Sequence, residues 1–183
     1  LYRLLWQTGH LSILNLFFGG INSKTIRSAF THTDILAKCS PLLRFNVLRE
    51  VKLQDGNPLL TAAFLRDQGT LQKLLEGMTD DQLETLFLQG APRKNSIACN
   101  DFILDYLLKS SSTLRFNVLS KATFKDGSPL LLASFFRSPD TTKEMLGGMT
   151  EEQIEQLFLQ RDLYKTSIAC DSRSLGYLLS CSP

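Results

Sequence analysis

The 183 residues carry 43% hydrophobic and 21% charged side chains, a balance that excludes an intrinsically disordered chain and fits one ordinary domain or a short stack of repeats. The formal net charge is +2 and the basic residues form no dense run, so composition gives no electrostatic reason to expect nucleic acid. No apolar run approaches the ~18 residues of a membrane span, and Leu1–Trp6 has neither the long apolar stretch nor the small-residue cleavage site of a signal peptide.

Taken in chain order, residues 1–41 read as a partial module. The chain opens inside a helical pattern without an initiating Met, as a piece of a larger protein would. Gly20-Ile21-Asn22-Ser23 and Ile26–Phe30 echo the later Gly77-Met78-Thr79 and Leu83–Phe87, and Thr33–Ser40 echoes a helix near Tyr106. Ser40 followed by Pro41 is an N-cap with proline at the first helical position, opening a helix over Leu42–Val51. Asp55-Gly56-Asn57 is turn chemistry, and Pro58 opens a helix over Leu59–Arg66. Gln68-Gly69-Thr70 breaks it, and Leu71–Glu76 forms the next helix, stopped by Gly77. Thr79-Asp80-Asp81-Gln82 has the form of a capping box, with acids in the first turn. Leu83, Leu86 and Phe87 then make the inward stripe of an amphipathic helix over Asp80–Gln89. Gly90–Lys94 reads as a loop and Ser96–Cys99 as a short helical turn. Phe102, Ile103, Tyr106 and Leu107 mark a last amphipathic helix, with Ser110-Ser111-Ser112 as a linker.

Thereafter the chain repeats itself. Residues 42–112 are rewritten without a gap as residues 113–183, an offset of 71 that carries Leu43-Arg44-Phe45-Asn46-Val47-Leu48 onto Leu114-Arg115-Phe116-Asn117-Val118-Leu119. Thr150-Glu151-Glu152-Gln153 repeats the capping box, and Ser167-Ile168-Ala169-Cys170 repeats Ser96-Ile97-Ala98-Cys99. A fixed period of this kind signals stacked modules, each leaning on its neighbours. The expected fold is therefore all-α: one continuous helical-repeat solenoid of about two and a half modules, comprising residues 1–41, 42–112 and 113–183.

Asp55-Gly56-Asn57-Pro58-Leu59-Leu60-Thr61-Ala62-Ala63 resembles the signature of ankyrin repeats, in which a D-G turn leads into a T-P-L-x-x-A-A helix. Asp126-Gly127-Ser128-Pro129-Leu130-Leu131-Leu132-Ala133 resembles it in the same way, and Gly9-His10-Leu11 is similar to the ankyrin G-H turn. The chain departs from the family in its period, in Asn57 or Ser128 standing before the proline, and in the extra helices Leu42–Val51 and Asp80–Gln89. The resemblance implies a divergent, expanded helical repeat that binds proteins, with His10 bonding backbone between loops. Divergent repeats of this style occur in effectors of intracellular bacteria, so the resemblance also implies a virulence role in a host-cell cytosol.

Converging chemistry is absent from the pattern. Cys39, Cys99, Cys170 and Cys181 include no C-x-x-C pair and His10 and His32 lie far from the later cysteines, so no metal is expected. Cys99 and Cys170 recur at one repeat position, as scaffold residues do and a single catalytic nucleophile would not. Stacked helix layers about 8–10 Å apart keep such equivalents beyond the roughly 7 Å reach of a disulfide, which implies reduced thiols and a reducing, cytoplasmic setting. Asp80-Asp81 and Glu151-Glu152 are explained by helix N-terminal charge. Neither G-x-x-x-x-G-K-[ST] nor G-x-G-x-x-G is present, so no nucleotide, cofactor or small-molecule substrate is expected, and the chain is read as no enzyme.

The two full copies differ where loops are expected. Arg49–Gln54 becomes Ser120–Lys125, Asp67-Gln68-Gly69 becomes Ser138-Pro139-Asp140, and Gly90–Arg93 becomes Arg161–Tyr164. In ankyrin-like repeats the loops before the D-G turn help form the partner surface. Lys52, Gln54, Arg93, Lys125 and Tyr164 are accordingly the expected contacts to a protein partner, Tyr and Arg being favoured anchors. The alternative reading is a regulatory or substrate-recruiting domain of an enzyme whose active site lies elsewhere.

Overall fold

The computed structural model describes residues 33–34, 36–53, 56–64, 67–90, 96–160 and 167–170, and among these the secondary structure is helical. The elements are α1 (Pro41–Glu50), α2 (Leu60–Phe64), α3 (Gln68–Leu75), α4 (Asp80–Phe87), a 3-10 turn at Ile97–Cys99, α5 (Asp101–Leu108), α6 (Ser112–Lys121), α7 (Leu131–Arg137), α8 (Pro139–Leu146), α9 (Glu151–Phe158) and a second 3-10 turn at Ile168–Cys170. No described helix is long and apolar enough to cross a membrane. The chain divides into two compact units, Leu1–Pro92 and Arg93–Pro183, a boundary that falls inside the first full sequence repeat.

In the first unit α1 packs on α3 and α4, and α2 packs on α3. Val47, Leu48 and Val51 of the α1 segment are buried, as are Leu71, Leu74 and Leu75 of α3 and Leu86 and Phe87 of α4. In the second unit α6 packs on α8 and α9, α7 on α8, and α5 on both α6 and α8. Leu114, Val118, Leu119, Met145, Leu146, Leu157 and Phe158 fill the equivalent interior.

Helix ends follow local chemistry. Thr79 Oγ1 accepts from the Gln82 N–H at 3.3 Å while Gln82 Oε1 accepts from the Thr79 N–H at 3.1 Å, the reciprocal pair the spacing predicts. Thr150 and Gln153 repeat it at 3.3 and 3.0 Å. Gly77 and Gly148 follow α3 and α8 in the left-handed region, each at φ 73°.

Three boundaries differ from expectation. Gln68-Gly69-Thr70 is no breaker but the first turn of α3, because Asp67 caps it, accepting from the Thr70 N–H at 2.7 Å and the Thr70 hydroxyl at 2.8 Å. Ser138 caps α8 in the same way, accepting from Thr141 N–H at 3.1 Å, so the Asp67-to-Ser138 change replaces one cap with another. Pro58 does not open α2, which begins at Leu60, because the Leu59 N–H is turned back to the Val51 carbonyl at 3.0 Å. Nor is Ser110-Ser111-Ser112 a linker: Ser110 donates to the Tyr106 carbonyl at 2.9 Å and Ser111 caps α6, accepting from Leu114 N–H at 3.1 Å.

The partial module expected over 1–41 lies largely outside the described residues, including the Gly9-His10 turn and His32. Cys181 also lies outside them.

Candidate partner-binding hairpins

Between α1 and α2 the chain doubles back in a loop closed by an antiparallel bridge, Lys52 to Pro58. The Leu53 N–H donates to Asn57 O at 2.7 Å, Leu59 N–H to Val51 O at 3.0 Å, and Gly56 N–H to Leu53 O at 2.9 Å. Pro58 sits in the stem without penalty, since neither stem bond needs the N–H that proline lacks. The second copy builds the same device between α6 and α7, bridging Thr123 to Pro129. There Phe124 N–H donates to Ser128 O at 2.9 Å, Leu130 N–H to Ala122 O at 3.0 Å, and Gly127 N–H to Phe124 O at 2.9 Å. Glycine is required at the turn because Gly56 and Gly127 lie at φ 78° and 84°, a region other residues enter only with strain.

Lys52 and Lys125 are both exposed on these hairpins. They are not equivalent positions: Lys52 corresponds to Thr123, and Lys125 to Gln54. Gln54, Arg93 and Tyr164 lie outside the described residues, so of the five expected contacts the structure places two, one in each unit. At the second tip Asp126 accepts from the Ser128 N–H at 2.9 Å, and bonds from Ser128 hold its carboxyl below the usual carboxylate value.

The helix before each hairpin carries a buried arginine whose role the sequence did not disclose. Arg44 is buried and donates from Nε to Leu74 O at 2.9 Å, from one terminal nitrogen to Cys39 O at 2.6 Å, and from the other to Glu76 O. Arg115 repeats the set on Met145 O at 2.9 Å, Ser110 O and Gly147 O, and burial lowers its pKa from the usual value. Each guanidinium thereby ties two chain ends together through carbonyls that a helix C-terminus leaves unpaired. The available signal was an arginine kept within an apolar run in both copies. Gln89 and Gln160 were likewise visible only as repeats. Gln89 Nε2 donates to Arg49 O at 2.9 Å and Gln160 Nε2 to Ser120 O at 2.8 Å, tying the end of α4 or α9 to the helix that carries the hairpin.

Among the described residues no group of three or more His, Cys, Asp or Glu is placed to hold a metal ion. Cys39 and Cys99 are thiols, and burial raises the pKa of both, that of Cys99 to about 11, so neither is an activated nucleophile. What the described residues offer is an all-α arrangement with two bridge-closed hairpins on which Lys52 and Lys125 are exposed. Compared with protein-family models, curated proteins and solved structures, the chain matches none.

Proposed function

We propose that this chain is a non-catalytic protein-binding module, an ankyrin-like helical repeat whose hairpins contact a protein partner. The observation that carries the reading is the pair of hairpins itself. The bridge, its stem hydrogen bonds and the turn glycine are the same in both copies, while the exposed bridge residue changes from Lys52 to Thr123 and the second hairpin adds exposed Lys125. A framework held constant beneath varied, exposed side chains suits recognition, since loops on a rigid scaffold carry contacts without altering the fold. In this reading Lys52 and Lys125 contribute charge, and Gln54, Arg93 and Tyr164 are further contacts to the partner.

The test is an affinity pull-down from a eukaryotic lysate, followed by binding of the captured protein in purified form. The control carries Lys52→Ala, Lys125→Ala and Tyr164→Ala together. A partner bound by the parent chain and weakened at least tenfold by the triple variant supports the reading. Undiminished binding by the variant removes the hairpins from the interface.

A further inference from the structure

The second hairpin is held along an edge as well as at its two ends. Its own stem is short, a bridge between Thr123 and Pro129 with a backbone bond on either side. A two-stranded ribbon of that size is marginal in water. Backbone polar groups alternate between the two edges of a strand. The stem bonds made by Ala122 and Phe124 therefore leave the N–H and C=O of Thr123 on the outer edge.

The Ser96–Cys99 turn occupies that edge. Ser96 N–H donates to Thr123 O at 3.2 Å, and the Ser96 hydroxyl lies 3.2 Å from the same oxygen. Thr123 N–H donates back to Ser96 Oγ at 3.4 Å, and the Cys99 thiol lies 3.5 Å from Thr123 O. The turn is itself well founded. Ile97 is 5% exposed and Ala98 fully buried, Cys99 N–H closes on Ser96 O at 3.0 Å, and the turn packs against α5. Arg137, the last residue of α7, ties α5 to α7, lying 2.7 Å from Asp105 Oδ1 and 3.0 Å from Asp101 Oδ1. Hairpin, α7, α5 and turn thus close into a ring inside the second unit, and Ser96 is where that ring meets both backbone polar groups of Thr123.

An outer strand edge is also where an extended partner segment would add as a further strand. Here Ser96 is already on it. The hairpin is left to offer side chains, and those of Thr123 and Lys125 are exposed. The bonds at Ser96 are long and solvent-facing, so each contributes little energy. Their larger effect is to remove freedom from a marginal ribbon, because a contact surface ordered beforehand loses less entropy on binding.

We propose that Ser96 is a positioning residue for the second hairpin: it closes the backbone edge at Thr123 and sets the loop in its binding geometry, so that the partner reads the hairpin by its side chains and not by strand addition. The inference rests on the reading of the hairpins as partner contacts, and the experiment separates the two.

Amide hydrogen exchange of the 183-residue chain, followed by NMR with no partner present, compares the parent with Ser96→Ala and Ser96→Thr. Ser96→Ala removes the acceptor of the Thr123 N–H, so exchange there is expected to rise roughly tenfold, with the interior amides of Leu119 and Leu157 unchanged. Ser96→Thr keeps the hydroxyl and should exchange as the parent does. Equal acceleration at every amide, an unchanged Thr123, or a Ser96→Thr variant that behaves like Ser96→Ala overturns the positioning role. Binding of the purified partner then reads the consequence. Ser96→Ala should weaken it about fivefold, the worth of one net hydrogen bond, and Ser96→Thr should restore it. Unchanged binding overturns the proposal, and so does tighter binding, which would show a strand adding at the edge that Ser96 vacates. Undiminished binding by the Lys52→Ala, Lys125→Ala, Tyr164→Ala control is a separate failure: it removes the hairpins as contacts, and this inference with them, whatever the exchange at Thr123 shows.

Discussion

Arg115 donates through Nε to the carbonyl of Met145, 2.9 Å away, and closes the C-terminal end of α8 with its own side chain. The guanidinium reaches Ser110 O and Gly147 O as well, so its loss strands several carbonyls in or near the interior. Arg115→Met should destabilise the protein by about 3 kcal/mol, because hydrogen bonds from a charged donor are among the stronger ones and orphaned acceptors add their desolvation penalty. Arg115→Lys should recover little, since an ammonium lacks the planar fork that spans these acceptors. Urea denaturation of both variants measures this; a loss under 1 kcal/mol in Arg115→Met would contradict it.

The hairpin turn offers a cleaner backbone test. A Cβ built on Gly127 meets nothing within 4 Å, so Gly127→Ala isolates the conformational term of φ 84°. A loss of about 1 kcal/mol is expected in thermal or urea unfolding. Faster amide exchange at Phe124 and Leu130 should accompany it, and unchanged exchange would show that the stem does not depend on the turn.

Ser134 and Thr142 form a buried pair where the first copy has Ala63 and Leu71. The Thr142 hydroxyl lies 3.3 Å from Ser134 Oγ, which donates to Leu131 O at 2.7 Å. A polar pair has replaced an apolar one at matched positions, and each half suits only its own partner. Ser134→Ala and Thr142→Leu should therefore be non-additive in denaturation. The double variant is expected to be more stable than the two single losses imply, by about 1 kcal/mol. Simple additivity would show that the two sites do not communicate.

Cys99 gives the pH prediction. Burial pushes its thiol up to about 11 from an ordinary 9.0. Its neutral form is thus favoured in the folded state, and its contribution to stability is present below pH 9 and lost as pH rises from there toward 11. At pH 8 the thiolate fraction falls about a hundredfold below that of an exposed cysteine. Alkylation of a variant retaining Cys99 alone, followed by mass spectrometry from pH 7 to 11, should show rates climbing through the upper end of that range. A plateau by pH 9.5 would refute the burial argument.

Legibility in the sequence tracked how local each interaction is. The two capping boxes could be read outright because Thr79 and Gln82, or Thr150 and Gln153, settle their bonds within one turn of chain. The helix over Pro41–Glu50 was readable for a similar reason, although Ser40 occupies the cap position without a side-chain bond. Gln68-Gly69-Thr70 misled because the glycine was weighed as a breaker and the stronger cap at Asp67 was not. Pro58 misled because proline suits both a helix start and a bridge stem, and the Leu59 to Val51 bond that decides between them is a pairing across the turn. Arg44 could not be assigned at all from sequence, since its acceptor Leu74 lies 30 residues away and is reached only after α1 packs on α3. Of the site, Lys52 and Lys125 were legible as exposed residues of turn-bearing loops. The backbone edge of the stem was not, since side-chain identity says nothing of where an N–H points.

The boundary at Pro92 and Arg93 is out of phase with the repeat that runs from residue 42 to 112. The segment that was duplicated is consequently not a body that packs as one piece. Its last helix, α5, lies against α6, the opening helix of the next copy, so the end of the first copy is finished by the start of the second. Recombination between two such stretches has no privileged crossover point. An exchange that joins Arg44 directly to Phe116 rewrites Arg-Phe-Asn-Val-Leu without a flaw, and the same holds wherever the copies agree.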